Sequence, residues 1–217
     1  MIVLGLTGSI AMGKSTAAAM FRRLGVPVYD ADRAVHRLLG KGGAAVSPVA
    51  AAFPGVMVDG AIDRRLLGAR VFGNTAALRE LEGILHPLVA RERQRFLRAA
   101  RRQGRRLVVL EIPLLFETGG ERACDAVAVV SAPASLQQAR LLRRPGMSPE
   151  RIATIMRRQM PDEEKRRRAD FIIPTGLGKA STCAAIREIV SKLLGGQRRR
   201  RLHHHKLRSL DLKKRNM

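Results

Sequence analysis

An α/β fold built on a five-stranded parallel sheet is the prediction for this chain, and three observations carry it. Five short runs, residues 2–6, 26–29, 107–112, 126–130 and 171–173, are nearly all apolar instead of alternating. That is the pattern of strands covered on both faces. Segments of helical character lie between them, as crossovers between parallel strands require. The chain has 217 residues and is 46% hydrophobic, enough to bury a real core in one domain with insertions. With no Trp and a single Tyr, that core is aliphatic.

The first helix is expected to open at the turn Gly13-Lys14-Ser15-Thr16 and to stop before Gly25, a left-handed terminator. About seventy residues separate the second and third runs, too many for one crossover. Leu78, Leu81, Leu85 and Leu88 mark one face of a helix there, with Thr75 as its N-cap and Pro87 expected to bend or interrupt it. Residues 37–104 therefore read as a mainly helical insertion with room for a second substrate. After the fourth run a helix over 136–144 is broken by Pro145-Gly146, and Ser148-Pro149 opens another. This hairpin carries Arg140, Arg143, Arg144, Arg151, Arg157 and Arg158.

Net charge is +23, of which residues 197–217 contribute +8 from nine basic residues and Asp211. A basic body suits polyanionic ligands such as nucleotides or nucleic acid. The low-complexity tail is expected to be unstructured and to allow salt-sensitive contact with nucleic acid. Cys124 and Cys183 fit no metal or redox spacing, and His203 to His205 resemble adventitious metal binding. The N-terminus has no basic leader, and no apolar run approaches the roughly 20 residues of a membrane span. A cytoplasmic protein is expected.

The motif that carries the chemistry is Gly8-Ser9-Ile10-Ala11-Met12-Gly13-Lys14-Ser15, which fits the phosphate-loop pattern G-x-x-x-x-G-K-[ST]. Glycines let the backbone curl so that its N–H groups face phosphate oxygens, and the following helix adds its positive end. Lys14 then reaches the β- and γ-phosphates of ATP, and Ser15 offers a hydroxyl to Mg²⁺. The predicted class is a P-loop NTPase, three-layer α/β/α, with a helical substrate-binding insertion and a helical lid. Tyr29-Asp30-Ala31-Asp32 falls where the second strand ends, on the ligand side of an open α/β sheet. One aspartate is expected to cap the next helix, which leaves the other to accept a proton or orient Mg²⁺. Glu111, ending the third strand, is a candidate for the acidic partner of Mg²⁺, and Glu117 reads as structural. The arginine-rich hairpin reads as a lid that neutralises charge on the transferred phosphoryl group.

Taken together, residues 1 to about 194 resemble the dephospho-CoA kinase family. The resemblance rests on the phosphate loop, Asp30-Ala31-Asp32, Ile62-Asp63-Arg64-Arg65-Leu66-Leu67, and Leu81-Glu82 with His86-Pro87. It extends through Pro113-Leu114-Leu115-Phe116-Glu117 and through Gln159, Lys165 and Ala169-Asp170. It implies transfer of the ATP γ-phosphoryl group to the 3′-hydroxyl of dephospho-CoA, with Asp32 as base, Lys14 and Arg140 on the ATP side, and Gly8, Ala11, Met12, Gly13, Lys14, Ser15 and Thr16 around the phosphates. Arg65 and His86 fall where dephospho-CoA is held, and Ser15 and Glu111 are the candidates for Mg²⁺. The domain plan is a nucleotide-binding core at 1–36, 105–140 and 165–195, an insertion at 37–104, a lid at 141–164 and the tail at 196–217. Another small P-loop kinase of the nucleoside-monophosphate type, or an RNA-associated P-loop ATPase, is the alternative reading.

The chain departs from the family at Ala11 and Met12, where Gly and often Ser are usual, and Met12 is expected to crowd the loop. Pro145 replaces a frequent acid. Thr175 replaces an Asn, so it lacks that residue's amide near adenine.

Overall fold

A computed structural model describes residues 1–144, 146–157 and 159–195, the side chains of Glu150 and Arg151 excepted. The tail, with its histidines, lies outside the described residues, as does Arg158. The chain divides into two compact units, one of residues 1–28 and 104 onward, the other of residues 29–103.

The first unit is organised by the sheet. Strands β1 (Ile2–Thr7), β2 (Val28–Asp30), β5 (Leu107–Glu111), β6 (Ala126–Ser131) and β7 (Phe171–Pro174) lie in the order β2-β5-β1-β6-β7. The pairs β1·β5, β1·β6 and β6·β7 are parallel, with Leu4 beside both Val109 and Ala126. The unit boundary falls inside β2. Every residue of β5 is buried, as are four of the six in β6, which explains the unbroken apolar runs. The sheet packs against helix α1 (Lys14–Arg23) and a helix over residues 178–195, called α9 below. Leu4, Leu6, Met12, Phe21, Val109, Val130, Ile173, Ile186 and Ile189 form that core. On the other face Leu115, Phe116, Val127 and Val129 make a smaller cluster. Helices α6 (Ala134–Leu142), α7 (Pro149–Arg157) and α8 (Asp162–Arg168) complete the unit. In α8 three acids in the first turn and four bases in the last follow the helix dipole.

The second unit has its own core, in which Leu38, Leu39, Val49, Phe53, Val56, Ile62, Leu67 and Leu81 are buried. It comprises α2 (Ala31–Leu39), α3 (Val46–Ala52), α4 (Arg64–Val71) and α5 (Thr75–Arg102), and α5 packs against the other three. Leu81, Leu85 and Leu88 face inward, as their spacing predicts.

One local expectation is corrected, and two details are added. The N-cap of α5 is Asn74, whose side chain accepts from the N–H of Ala77 at 3.0 Å, so Thr75 is the first helical residue. Helix α5 runs through Pro87 without ending. Packing along 28 residues outweighs the one backbone hydrogen bond that proline removes. The insertion also contains a hairpin, β3 (Met57–Val58) and β4 (Ala61–Ile62), joined by Asp59-Gly60. Both turn residues have positive φ, 51° and 79°, the type I′ signature of an Asp-Gly turn.

Candidate active site

The phosphate loop sits between β1 and α1. A Cβ on Gly8 would lie 2.3 Å from Val130 Cγ2 and 2.7 Å from the Val130 carbonyl oxygen, so only glycine lets β1 turn against β6 here. Gly13 has φ 91° and caps α1 without a side chain, leaving the opening N–H groups of the helix to a ligand. Ala11 adopts φ 63°, the left-handed region, at a modest steric cost that glycine would not carry.

The loop's outward-facing groups are secured by residues distant in sequence. The N–H of Ile10 donates to Gln159 Oε1 at 2.9 Å, and the Ile10 carbonyl accepts from Gln137 Nε2 at 2.8 Å. Arg140 donates through Nη1 to the Ala11 carbonyl at 3.2 Å and through Nη2 to the Thr175 carbonyl at 2.8 Å. The Thr175 hydroxyl donates to the Met12 carbonyl. Met12 does not crowd the loop as expected. Its side chain turns into the core, 2% exposed, and its sulfur accepts from the N–H of Ala132 at 3.2 Å. Two of the chain's family departures, Met12 and Thr175, are thus in contact.

Lys14 Nζ lies 3.3 Å from Glu111 Oε1, and Arg22 lies 3.7 Å from the other oxygen of that carboxylate. Glu111 is buried. It is therefore neutralised by two cations of the protein, a poor starting point for a direct metal ligand. Ser15 is exposed, with its hydroxyl bonded to no described residue. No cluster of three or more His, Cys, Asp or Glu among the described residues could hold a metal by itself.

Elsewhere in the first unit, Lys165 is completely buried and lies 2.8 Å from Glu117 Oε1, which also accepts from the N–H of Met160 at 2.8 Å. Asp170 accepts from the N–H of Val127, and Ser131 donates to Asp162 at 2.6 Å. Of the hairpin arginines, Arg140 alone among those described reaches the loop; Arg143 and Arg144 are exposed, and Arg157 donates to Thr154.

In the second unit Asp30 is the N-cap of α2, accepting from the N–H of Arg33 at 2.9 Å. That leaves Asp32 in the first turn, exposed and bonded to no described residue. Arg65 stands exposed in the first turn of α4, whose cap Asp63 accepts from the N–H groups of Arg65 and Leu66. Those two bonds hold the Asp63 carboxyl below its ordinary range. His86 is exposed on α5. Tyr29 donates to the carbonyl of Val89, three residues beyond His86, and burial followed by the Glu92 charge pushes its hydroxyl up to about 12. Gln137 was not predicted as a site residue. A lone glutamine on a helix gives no signal until β6 and the loop are brought together.

The model of the dephospho-CoA kinase family matches residues 2–178. The chain belongs to the dephospho-CoA kinase family. Among curated relatives, it is 56% identical over 195 residues to dephospho-CoA kinase of Mesorhizobium japonicum, covering 90% of this chain and 98% of that one. It is 64% identical over 166 residues to dephospho-CoA kinase of Paramagnetospirillum magneticum, covering 76% and 78%. The solved structure of dephospho-CoA kinase from Campylobacter jejuni superposes with a TM-score of 0.68 at 27% identity, over 90% of this chain and 98% of that one. The parallel sheet and its helices are those of the P-loop α/β/α fold.

Proposed function

We propose that Lys14 and the N–H groups around Gly13 hold the ATP phosphates, and that Asp32 takes the proton of the acceptor hydroxyl. The overall reaction follows from family membership: ATP-dependent phosphorylation of dephospho-CoA at its 3′-hydroxyl, giving coenzyme A. The 3′-oxygen forms a bond to the γ-phosphorus as the bond to the β–γ bridging oxygen breaks. ADP leaves with the electron pair, and the hydroxyl proton passes to the Asp32 carboxylate. The observation that carries this reading is the division of labour between the two aspartates. Asp30 is spent on the cap, and Asp32 is left exposed in the same turn.

When bound, Mg²⁺ would supply neutralisation of the charge developing on the transferred phosphoryl group. Ser15, exposed at the start of α1, is the residue that would hold it through its hydroxyl. Glu111 acts one step back, orienting Lys14 through their ion pair. Arg140 shapes the ATP side by fixing the Ala11 and Thr175 carbonyls, and the 141–164 segment serves as lid. Arg65 and His86, in the 37–104 insertion, contact dephospho-CoA. No described helix is long and apolar enough to cross a membrane, and a cytoplasmic site of action suits these substrates. Nucleic-acid contact through the tail stays an expectation of the sequence.

The test is turnover with Mg-ATP and dephospho-CoA beside AMP, UMP and pantetheine 4′-phosphate, following ADP and coenzyme A. Product with dephospho-CoA alone supports the reading; phosphorylation of a nucleotide in its place discards it.

A further inference from the structure

Ile10 stands in the middle of the phosphate loop, and carboxamides grip its flanking peptide groups from both sides. Its N–H donates to Gln159, just beyond α7, and its carbonyl accepts from Gln137, on α6. The polarity of the two bonds is fixed by the backbone. An N–H can meet only a carboxamide oxygen, and a carbonyl only a carboxamide NH₂, so neither side chain can be flipped without losing its bond. Gln137 is buried, 6% exposed, and its NH₂ also lies 3.7 Å from the sulfur of Met156 on α7. One helical turn along α6, Arg140 secures the next carbonyl, that of Ala11.

We propose that Gln137 and Gln159 are positioning residues for the nucleotide phosphates. Together they hold the peptides on either side of Ile10, so that the N–H groups of the following residues converge on one point. A loop of this kind binds an anion through several N–H groups at once, and small rotations of one peptide misalign the rest. Four features within six residues demand such a brace: a glycine at 8 with no room for a side chain, a left-handed Ala11, a Met12 turned into the core, and a left-handed Gly13. Ala11 raises the need, because an L-residue at φ 63° would relax toward negative φ were the peptide before it released. Gln159 also ties the end of the α7 segment to the loop, so the segment and the phosphate site share one hydrogen bond.

This rests on the phosphate-loop reading above, and the experiment separates the two. Hydrogen exchange at the Ile10 amide is measured in the ligand-free full chain. ADP affinity is measured by calorimetry, and KM for each substrate from turnover. The variants are Gln137→Met, Gln159→Met and Gln159→Glu. Because the carboxylate of Gln159→Glu keeps an acceptor for the Ile10 N–H, that variant retains slow exchange. Gln159→Met exchanges about tenfold faster or more. Both Met variants weaken ADP by about 5- to 20-fold and raise KM for ATP alike, with KM for dephospho-CoA within about twofold. Unchanged Ile10 exchange in Gln159→Met overturns the proposal, as do ADP affinities within twofold of the parent in both Met variants. Equal rises in KM for both substrates mark general loosening and overturn it too. A parent chain that binds no ADP would instead condemn the phosphate-loop reading.

Discussion

The two units present their functional groups in opposite ways. Around the phosphate loop nearly every group is tied down. Ile10, Ala11 and Met12 are held by Gln137, Gln159, Arg140 and Thr175, and Lys14 rests on a buried carboxylate. In the second unit Asp32, Arg65 and His86 are all exposed, on three helices that share one packed core. On the proposed roles, the difference follows from what each would recognise. Phosphate is small, symmetric and common to all nucleotides, so rigid backbone donors suit it. A larger acceptor is read by side chains with rotamer freedom, borne on a scaffold that keeps its own core.

Removing the charge at the tied end has the largest expected effect. Lys14→Met should lower kcat/KM by about a thousandfold or more, and should also weaken ADP, read by calorimetry. Glu117→Gln removes the charge partner of a buried lysine in the same unit. It leaves Lys165 completely buried without its carboxylate partner, so unfolding in urea should show a loss of about 3 kcal/mol. Ala11→Gly works in the other direction. Relieving the left-handed alanine should stabilise the fold by about 1 kcal/mol in the same titration, and no gain would show that the loop stores no such strain.

In the second unit the smallest effect concerns Tyr29. Its hydroxyl is raised to about 12, so the neutral form is favoured by folding. That contribution is complete below the unfolded value near 10 and is lost as pH rises through 12. Tyr29→Phe should flatten the fall of Tm between pH 10 and 12, and an unaltered fall would show that other groups drive it.

How much of this was legible in the sequence depends on whether the signal is local. The sheet strands were, because burial on both faces leaves unbroken apolar runs such as Leu107 to Leu110. So was the loop, whose chemistry fits in eight consecutive residues. The Asp59-Gly60 hairpin was legible in principle, since Asp-Gly is a strong turn signal, but its two-residue strands are too short to show alternation. Asn74 and Thr75 are both good caps, and only the bond to Ala77 separates them. The brace was not legible. Gln137 and Gln159 reach Ile10 across 127 and 149 residues of chain, and such contacts leave no periodic trace. Met12 shows the same limit: its direction, into the core, is set by β6 and α9 rather than by its neighbours in sequence.

The proposal that Asp32 takes the proton of the acceptor hydroxyl, while the phosphate loop holds the nucleotide, is tested most directly by Asp32→Asn. The two measurements are kcat with saturating Mg-ATP and dephospho-CoA, and the Kd for ADP. Turnover should fall by about a hundredfold or more with ADP affinity unchanged within twofold. Turnover that survives the substitution, or an ADP affinity that falls along with it, would contradict the account.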